Sequence, residues 1–240
     1  MTTVLSVNEV SVRFGGLVAL DGVDFKVKAS EIVGLIGPNG AGKTTLFSTL
    51  VGIVRPAQGS IFLEEDRIDG SAPHVIARHG MTKTFQNTAL FPHMSLIENV
   101  MTAAVVHASV KEARLEALAC LDKVGLSPFA NHSPQSLTFP QKALAEVARA
   151  LATKPKILLL DEVMAALTHV EMDLVMDSLR KIRDQEGIAF LIVEHHMRAI
   201  MGLSERVLVL NFGRLIADGP PDEVSRDPQV LTAYLGHGHA

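Results

Sequence analysis

The chain has 240 residues, 48% of them hydrophobic, enough for one large core or a core with a smaller attached unit. Its 22 basic against 26 acidic residues give a formal charge of −4, which argues against a general nucleic-acid binder. No apolar run approaches the roughly 18 residues of a spanning helix, the start lacks a signal-peptide plan, and the lone Cys120 excludes an internal disulfide. A globular protein of a reducing cytoplasm is expected, with Cys120 as a small buried hydrophobe and His237 and His239 in a glycine-separated tail.

The first thirty residues alternate as half-buried strands do. Val10, Val12 and Phe14 share one face, and Val23, Phe25 and Val27 interleave with Asp24, Lys26 and Lys28, which predicts an antiparallel opening. Three unbroken apolar runs follow: Ile32 to Ile36, Ile157 to Leu160, and Phe190 to Val193. Runs of this kind read as strands covered on both faces, hence a parallel sheet. Asp161-Glu162 and Glu194-His195 end the second and third runs, at the sheet edge where open α/β folds collect ligands.

Between the first and second runs the pattern turns helical. Val110, Ala117, Leu118, Leu121 and Val124 are spaced along a helix that stops at Gly125, and Leu144, Val147, Ala148 and Leu151 mark another. Residues 89–152 are expected to form a helical subdomain inserted into the α/β core, which residues 1–88 and 153–240 supply.

The first run leads into Gly37-Pro38-Asn39-Gly40-Ala41-Gly42-Lys43-Thr44, which matches the GxxxxGK[ST] phosphate loop at every fixed position and is followed by Thr45. Glycines let backbone N–H groups converge on phosphates, and a helix starting near Gly42 points its positive end at them. Lys43 would neutralise the β- and γ-phosphates and the Thr44 hydroxyl would ligate Mg²⁺. Attack of water on a γ-phosphate also needs charge compensation and a group that orients the water. Asp161 suits the first need as a magnesium carboxylate, and Glu162 the second as general base. His195, at the same edge, would donate to the γ-phosphate.

Further segments carry a family likeness. Thr84-Phe85-Gln86 is similar to a Q-loop, Ile157 to Glu162 to a Walker B strand, Ala165-Ala166-Leu167-Thr168 to a D-loop, and Glu194-His195 to a switch-histidine segment. With these, the chain resembles the nucleotide-binding subunits of ABC transporters. Phe85-Gln86-Asn87 leading to Leu90-Phe91-Pro92, and the stretch from Arg206 to Gly219, make it most similar to those of branched-chain amino-acid importers.

The resemblance implies a RecA-like P-loop core with an N-terminal antiparallel β-subdomain and the helical insertion. It implies an ATPase at the cytoplasmic face of the membrane, with ATP and Mg²⁺ as cofactors, a second ATPase subunit, two membrane-spanning subunits, an external solute-binding protein and no nucleic acid as a partner. It makes Gln86 a magnesium ligand and γ-phosphate sensor, and it places Phe14 where the family stacks a ring on adenine, although core packing explains Phe14 as well. Residues 90–97 would either dock a membrane partner or pack the helical arm. A soluble ABC ATPase and a regulatory subunit with impaired hydrolysis are the alternatives; neither coiled-coil nor basic extensions favour the first, and Glu162 with His195 speaks against the second.

One motif departs from the family. Its Leu-Ser-Gly-Gly-Gln signature becomes Leu137-Thr138-Phe139-Pro140-Gln141, in which Thr138 keeps a hydroxyl and Pro140 replaces a glycine. Thr138 and Gln141 would still meet the nucleotide of a partner subunit. Because this motif acts in trans, an asymmetric pair with a different ATPase chain is expected. Thr168 also stands where the D-loop usually has Asp or Asn, but Thr168-His169-Val170-Glu171 reads equally as a capping box for a helix bearing Leu174, Val175, Leu179 and Ile182.

Overall fold

The computed structural model describes residues 2–84 and 90–235. The chain opens with β1 (Thr3–Phe14) and β2 (Leu17–Lys28), an antiparallel hairpin that turns at Gly15-Gly16, and β3 (Ile32–Ile36) leads to α1 (Lys43–Leu50). β4 (Gln58–Leu63), β5 (Asp66–Arg67), α2 (Pro73–His79) and β6 (Met81–Lys83) follow. The helical arm holds α3 (Leu96–Ala104), α4 (Val110–Lys123) and α5 (Phe139–Leu151). The return half contains β7 (Ile157–Asp161), α6 (His169–Glu186), β8 (Ala189–Val193), α7 (Met197–Leu203), β9 (Arg206–Asn211), β10 (Arg214–Gly219), α8 (Pro221–Val224) and α9 (Pro228–Leu235).

Two sheets result. One has the order β2-β1-β4-β5 and is antiparallel throughout, as the opening alternation predicts. The other has the order β10-β9-β3-β8-β7-β6, in which every pairing from β9 to β6 is parallel. Every residue of β3, β7 and β8 is buried, and successive side chains serve opposite layers. Ile32, Leu158, Phe190 and Val207 pack with the helices of the arm and return half, while Val33, Leu159, Leu191 and Leu208 pack against α1 and the antiparallel sheet. This two-sided covering explains why the runs are continuous rather than alternating. The arm shares the first of these clusters, so its helices rest on the same hydrophobic layer as the sheet.

Three faces differ from the sequence expectation. In α4 the buried stripe is Ala113, Ala117, Cys120 and Leu121, while Val110 and Leu118 are exposed: a helix with small residues along its seam approaches its neighbours through them and turns the larger ones outward. Leu174 of α6 is likewise exposed, with Met172, Val175, Met176, Leu179 and Ile182 forming the seam. Phe14 leaves the buried face of β1, because the pairing with β2 shifts register between Val10 and Val12 and again between Val12 and Arg13, each shift re-aiming the side chains that follow. Val10 and Val12 are buried whereas Phe14 is 51% exposed.

Cys120 is buried and its thiol is pushed up to about 12 by that burial, which keeps it a protonated, unreactive hydrophobe. Of residues 90–97, Leu96 and Ile97 join the arm's core while Phe91 and Met94 remain exposed. Leu90 also packs against that core, so the segment is anchored at both ends and leaves Phe91 and Met94 exposed between them. His237 and His239 lie outside the described residues, as do Phe85, Gln86 and Asn87.

Candidate nucleotide site

Parallel strands deliver their carboxyl ends to one edge, and the site is assembled there. Val193 of β8 lies opposite Leu35 of β3 on one side and Asp161 of β7 on the other. The phosphate loop after β3, the carboxylates ending β7 and the histidine after β8 therefore converge although they are far apart in sequence.

The phosphate loop departs from ordinary backbone where its glycines stand. Gly37 has φ +154°, and a Cβ there would meet the Leu210 carbonyl oxygen at 2.0 Å, so no other residue fits. Gly42, at φ +108°, is the N-cap of α1; it supplies no side-chain cap, and no acidic residue occupies the first turn. The first N–H groups of this helix are left for an anion, the arrangement that favours phosphate. Lys43 folds over the loop, its Nζ donating to the carbonyls of Gly37 at 2.6 Å and Pro38 at 3.1 Å. Burial holds the Lys43 ammonium below its ordinary pKa, while Glu162 and Asp161 oppose that shift.

A cleft of about 440 Å³ opens beside the loop. Asn39, Gly40, Ala41, Gly42, Lys43, Thr44 and Thr45 form its floor, Glu162 and His195 stand at one end, and Phe14 lies along its wall with Phe212. Gly37 and Pro38 sit behind the loop rather than in this cleft; Pro38 lines a separate cavity against α9. His195 Nε2 is 2.7 Å from Glu162 Oε1. Glu162 adopts φ +53°, a left-handed conformation that costs a non-glycine residue on the order of 1 kcal/mol, and its N–H donates to the Val193 carbonyl. The strained turn directs the carboxylate toward the cleft instead of along the strand.

Asp161 is buried beneath it. Its Oδ2 lies 2.8 Å from Lys83 Nζ, and its backbone N–H donates to Thr84 Oγ1 at 3.1 Å. Glu194, which the sequence places with His195 at the end of the third run, turns inward. It is 2% exposed, one carboxylate oxygen accepts from the Met164 N–H at 2.7 Å, and the other has no hydrogen-bond partner. Burial pushes its carboxyl up to about 7. It ties the end of β8 to the segment after Glu162, and His196, given no role from sequence, bonds the Ala165 carbonyl of the same segment through Nε2 at 3.3 Å.

Thr138 and Gln141 do not join this cleft. They begin α5, where Gln141 Oε1 accepts from the Thr138 N–H at 2.9 Å, and Pro140 occupies the first turn, as expected for a residue without an N–H. The D-loop box is also formed, with Thr168 and Glu171 bonded reciprocally. Gln86 lies outside the described residues.

Two residues escaped the sequence reading. Phe212 is 85% exposed at φ +45° in the β9–β10 turn, and an aromatic before Gly213 in a hairpin was its only signal. Lys83 left none, because its approach to Asp161 depends on the pairing of β6 with β7.

Comparison with known proteins assigns the family. Residues 20–165 match the family model described as ABC transporter. The chain belongs to the ABC transporter ATP-binding family. It is an ATP-binding, ATP-hydrolysing subunit that powers transport. Residues 214–240 match a second model, branched-chain amino acid ATP-binding cassette transporter. The cassette is 39% identical to the high-affinity branched-chain amino acid transport ATP-binding protein BraF of Pseudomonas aeruginosa, over 97% of this chain and 98% of that one. It is 37% identical to LivG of Escherichia coli, which carries the same description, over 97% of each chain. Among solved structures, a nucleotide-free ATP-binding cassette from an ABC transporter matches with TM-score 0.90 and 26% identity, covering 98% of this chain and all of that one. The ADP conformation of MJ1267, another such cassette, matches with TM-score 0.90 and 26% identity over 99% of this chain and all of that one. No helix among the described residues is long and apolar enough to cross a membrane.

Proposed function

We propose that this cassette drives a branched-chain amino-acid importer from the cytoplasmic face of the membrane, pairing with a second, different ATPase subunit and with two membrane-spanning subunits that receive solute from an external binding protein. The names of BraF and LivG and the C-terminal family match support the substrate class. The observation that carries the catalytic reading is the cleft itself, which joins the phosphate loop, Glu162, His195 and an exposed aromatic wall in one space.

In this reading the loop amides from Asn39 to Thr45 and the Lys43 ammonium hold the phosphates, and Phe14 stacks on the base. Glu162 orients a water in line with the γ-phosphate and takes its proton. His195, whose Nε2 lies 2.7 Å from Glu162 Oε1, keeps the carboxylate in position and would donate to a γ-phosphate oxygen by turning that N–H from the carboxylate to the nucleotide. Thr44, Asp161 and Gln86 would hold magnesium. The donor set fits that hard ion: a hydroxyl, a carboxylate and an amide oxygen. When bound, magnesium supplies charge compensation to the β- and γ-phosphates.

Thr138 and Gln141 face the partner's nucleotide. The Gln141 oxygen and the absent Pro140 N–H are both lost to it, which supports a weaker site on the partner and an intact one here. Glu162→Gln in the assembled transporter should lower turnover by about 10²- to 10⁴-fold while ATP affinity changes little. Turnover close to wild type would remove Glu162 from the role of base.

A further inference from the structure

Lys83 stands on the carboxylate assigned above to magnesium. It faces Leu159 in the β6–β7 pairing, two residues before Asp161, and its Nζ reaches Asp161 Oδ2 at 2.8 Å with both side chains largely buried. The same ammonium lies 5.8 Å from the ring centroid of Phe47 in α1, so it is lodged between the helix of the phosphate loop and the end of β7. Lys43, from the loop side, is within electrostatic reach of Asp161 and Glu162.

Two ammonium groups and two carboxylates thus meet in a poorly hydrated space, and their formal charges already cancel. A dication added beside Asp161 meets a neutralised carboxylate and a repelling ammonium unless one positive charge withdraws. Lys43 is committed to the phosphate loop. Lys83 is not, and its flexible stem borders a cleft of about 400 Å³ lined also by the Glu146–Arg149 ion pair, so the head group has room to withdraw from Asp161.

We propose that Lys83 competes with magnesium for the Asp161 carboxylate and thereby limits how strongly the metal tightens nucleotide binding. The proposal rests on the reading of Asp161 as a magnesium carboxylate, and the experiment separates the two. Binding of the fluorescent analogue trinitrophenyl-ATP to the full chain is titrated in EDTA and in excess magnesium; the ratio of the two dissociation constants measures the coupling between metal and nucleotide.

Lys83→Met and Lys83→Gln should each raise that ratio about fivefold or more. Lys83→Arg, which keeps the charge, should leave it at or below the wild-type value. Asp161→Asn should lower it and should abolish the response to Lys83→Met in the double variant. If Asp161→Asn lowers the ratio but neither uncharged Lys83 variant raises it, Lys83 merely props the strand end and the competition is refuted. A raised ratio in Lys83→Arg refutes it as well. An unchanged ratio in Asp161→Asn overturns the magnesium reading of Asp161 and the proposal with it.

Discussion

Two helix starts, those of α1 and α5, are built from the same backbone groups and treated in opposite ways. Gly42 gives α1 no side-chain cap, and Lys43, Thr44 and Thr45 put no negative charge in its first turn. At α5 the Thr138 N–H is closed by Gln141, and Pro140 deletes another donor. The longer helices α3, α4 and α6 carry a Ser or Thr cap closed by Glu98, Glu112 or Glu171, while the short α2 and α7 have neither a side-chain cap nor an acid in the first turn. What sets α1 apart is not openness alone but a left-handed glycine cap with the Lys43 ammonium folded over the loop. The start of α5 is self-capped by a neutral side chain, which fits the proposed position against a partner subunit's nucleotide.

The contrast breaks first at Lys43. Lys43→Ala removes the ammonium that folds over the α1 start, and ATP affinity measured by calorimetry should fall about ten- to a hundredfold, the loss of a charge-assisted contact of roughly 1.5–3 kcal/mol. Unchanged affinity would mean that the loop amides suffice. Pro140→Gly should move α5 toward α1 by restoring an N–H. With the partner subunit present, steady-state turnover should rise by about tenfold, and an unaltered rate would argue against an active role for the signature in the partner's site.

Gln141→Glu moves α5 the other way, toward α3, α4 and α6. The isolated chain should keep its unfolding free energy or gain about a few tenths of a kcal/mol, while turnover of the assembled pair falls severalfold because an anion then faces the γ-phosphate. A fall in stability without a fall in turnover would show that α5 has no nucleotide to meet.

The smallest effect is a titration. Bonds from their Ser or Thr caps hold Glu98, Glu112 and Glu171 below the usual carboxylate pKa. Their stabilising contribution is therefore complete above that usual value and is lost as the pH falls through the depressed one. Amide shifts of Ser95, Ser109 and Thr168, whose N–H groups these carboxylates accept, should move together below pH about 4. The Thr138 amide, bonded to an amide oxygen, should stay still.

Motifs whose chemistry is local are legible in the chain itself. The phosphate loop is a contiguous stretch in which glycine positions, Lys43 and Thr44 each have a backbone reason, and the Thr168 box is complete within four residues. Continuous burial of β3, β7 and β8 is equally readable, because two-sided covering leaves no polar alternation. Elements with weak periodicity escape: β4, β5 and β6 are short or half-exposed, and β6 carries Thr82 and Lys83 in only three residues. Helix faces are misjudged where small residues such as Ala113 form the seam, since a hydrophobicity pattern gives weight to large side chains and close packing does not.

The sequence by itself determined that a phosphate-binding loop precedes a helix, that carboxylates end a buried strand, and that the α5 start departs from its relatives' usual signature. Each of these depends on residues a few positions apart, where backbone geometry alone sets the neighbours. Only the tertiary structure decided that Phe14 turns outward, that Glu194 is buried with one oxygen unpartnered, and that Lys83 rests on Asp161. Phe14 depends on register shifts within the β1–β2 hairpin, and Lys83 and Glu194 on the pairing of strands distant in the chain; a shift of a single residue in such a pairing reverses which face, and which charge, a side chain meets.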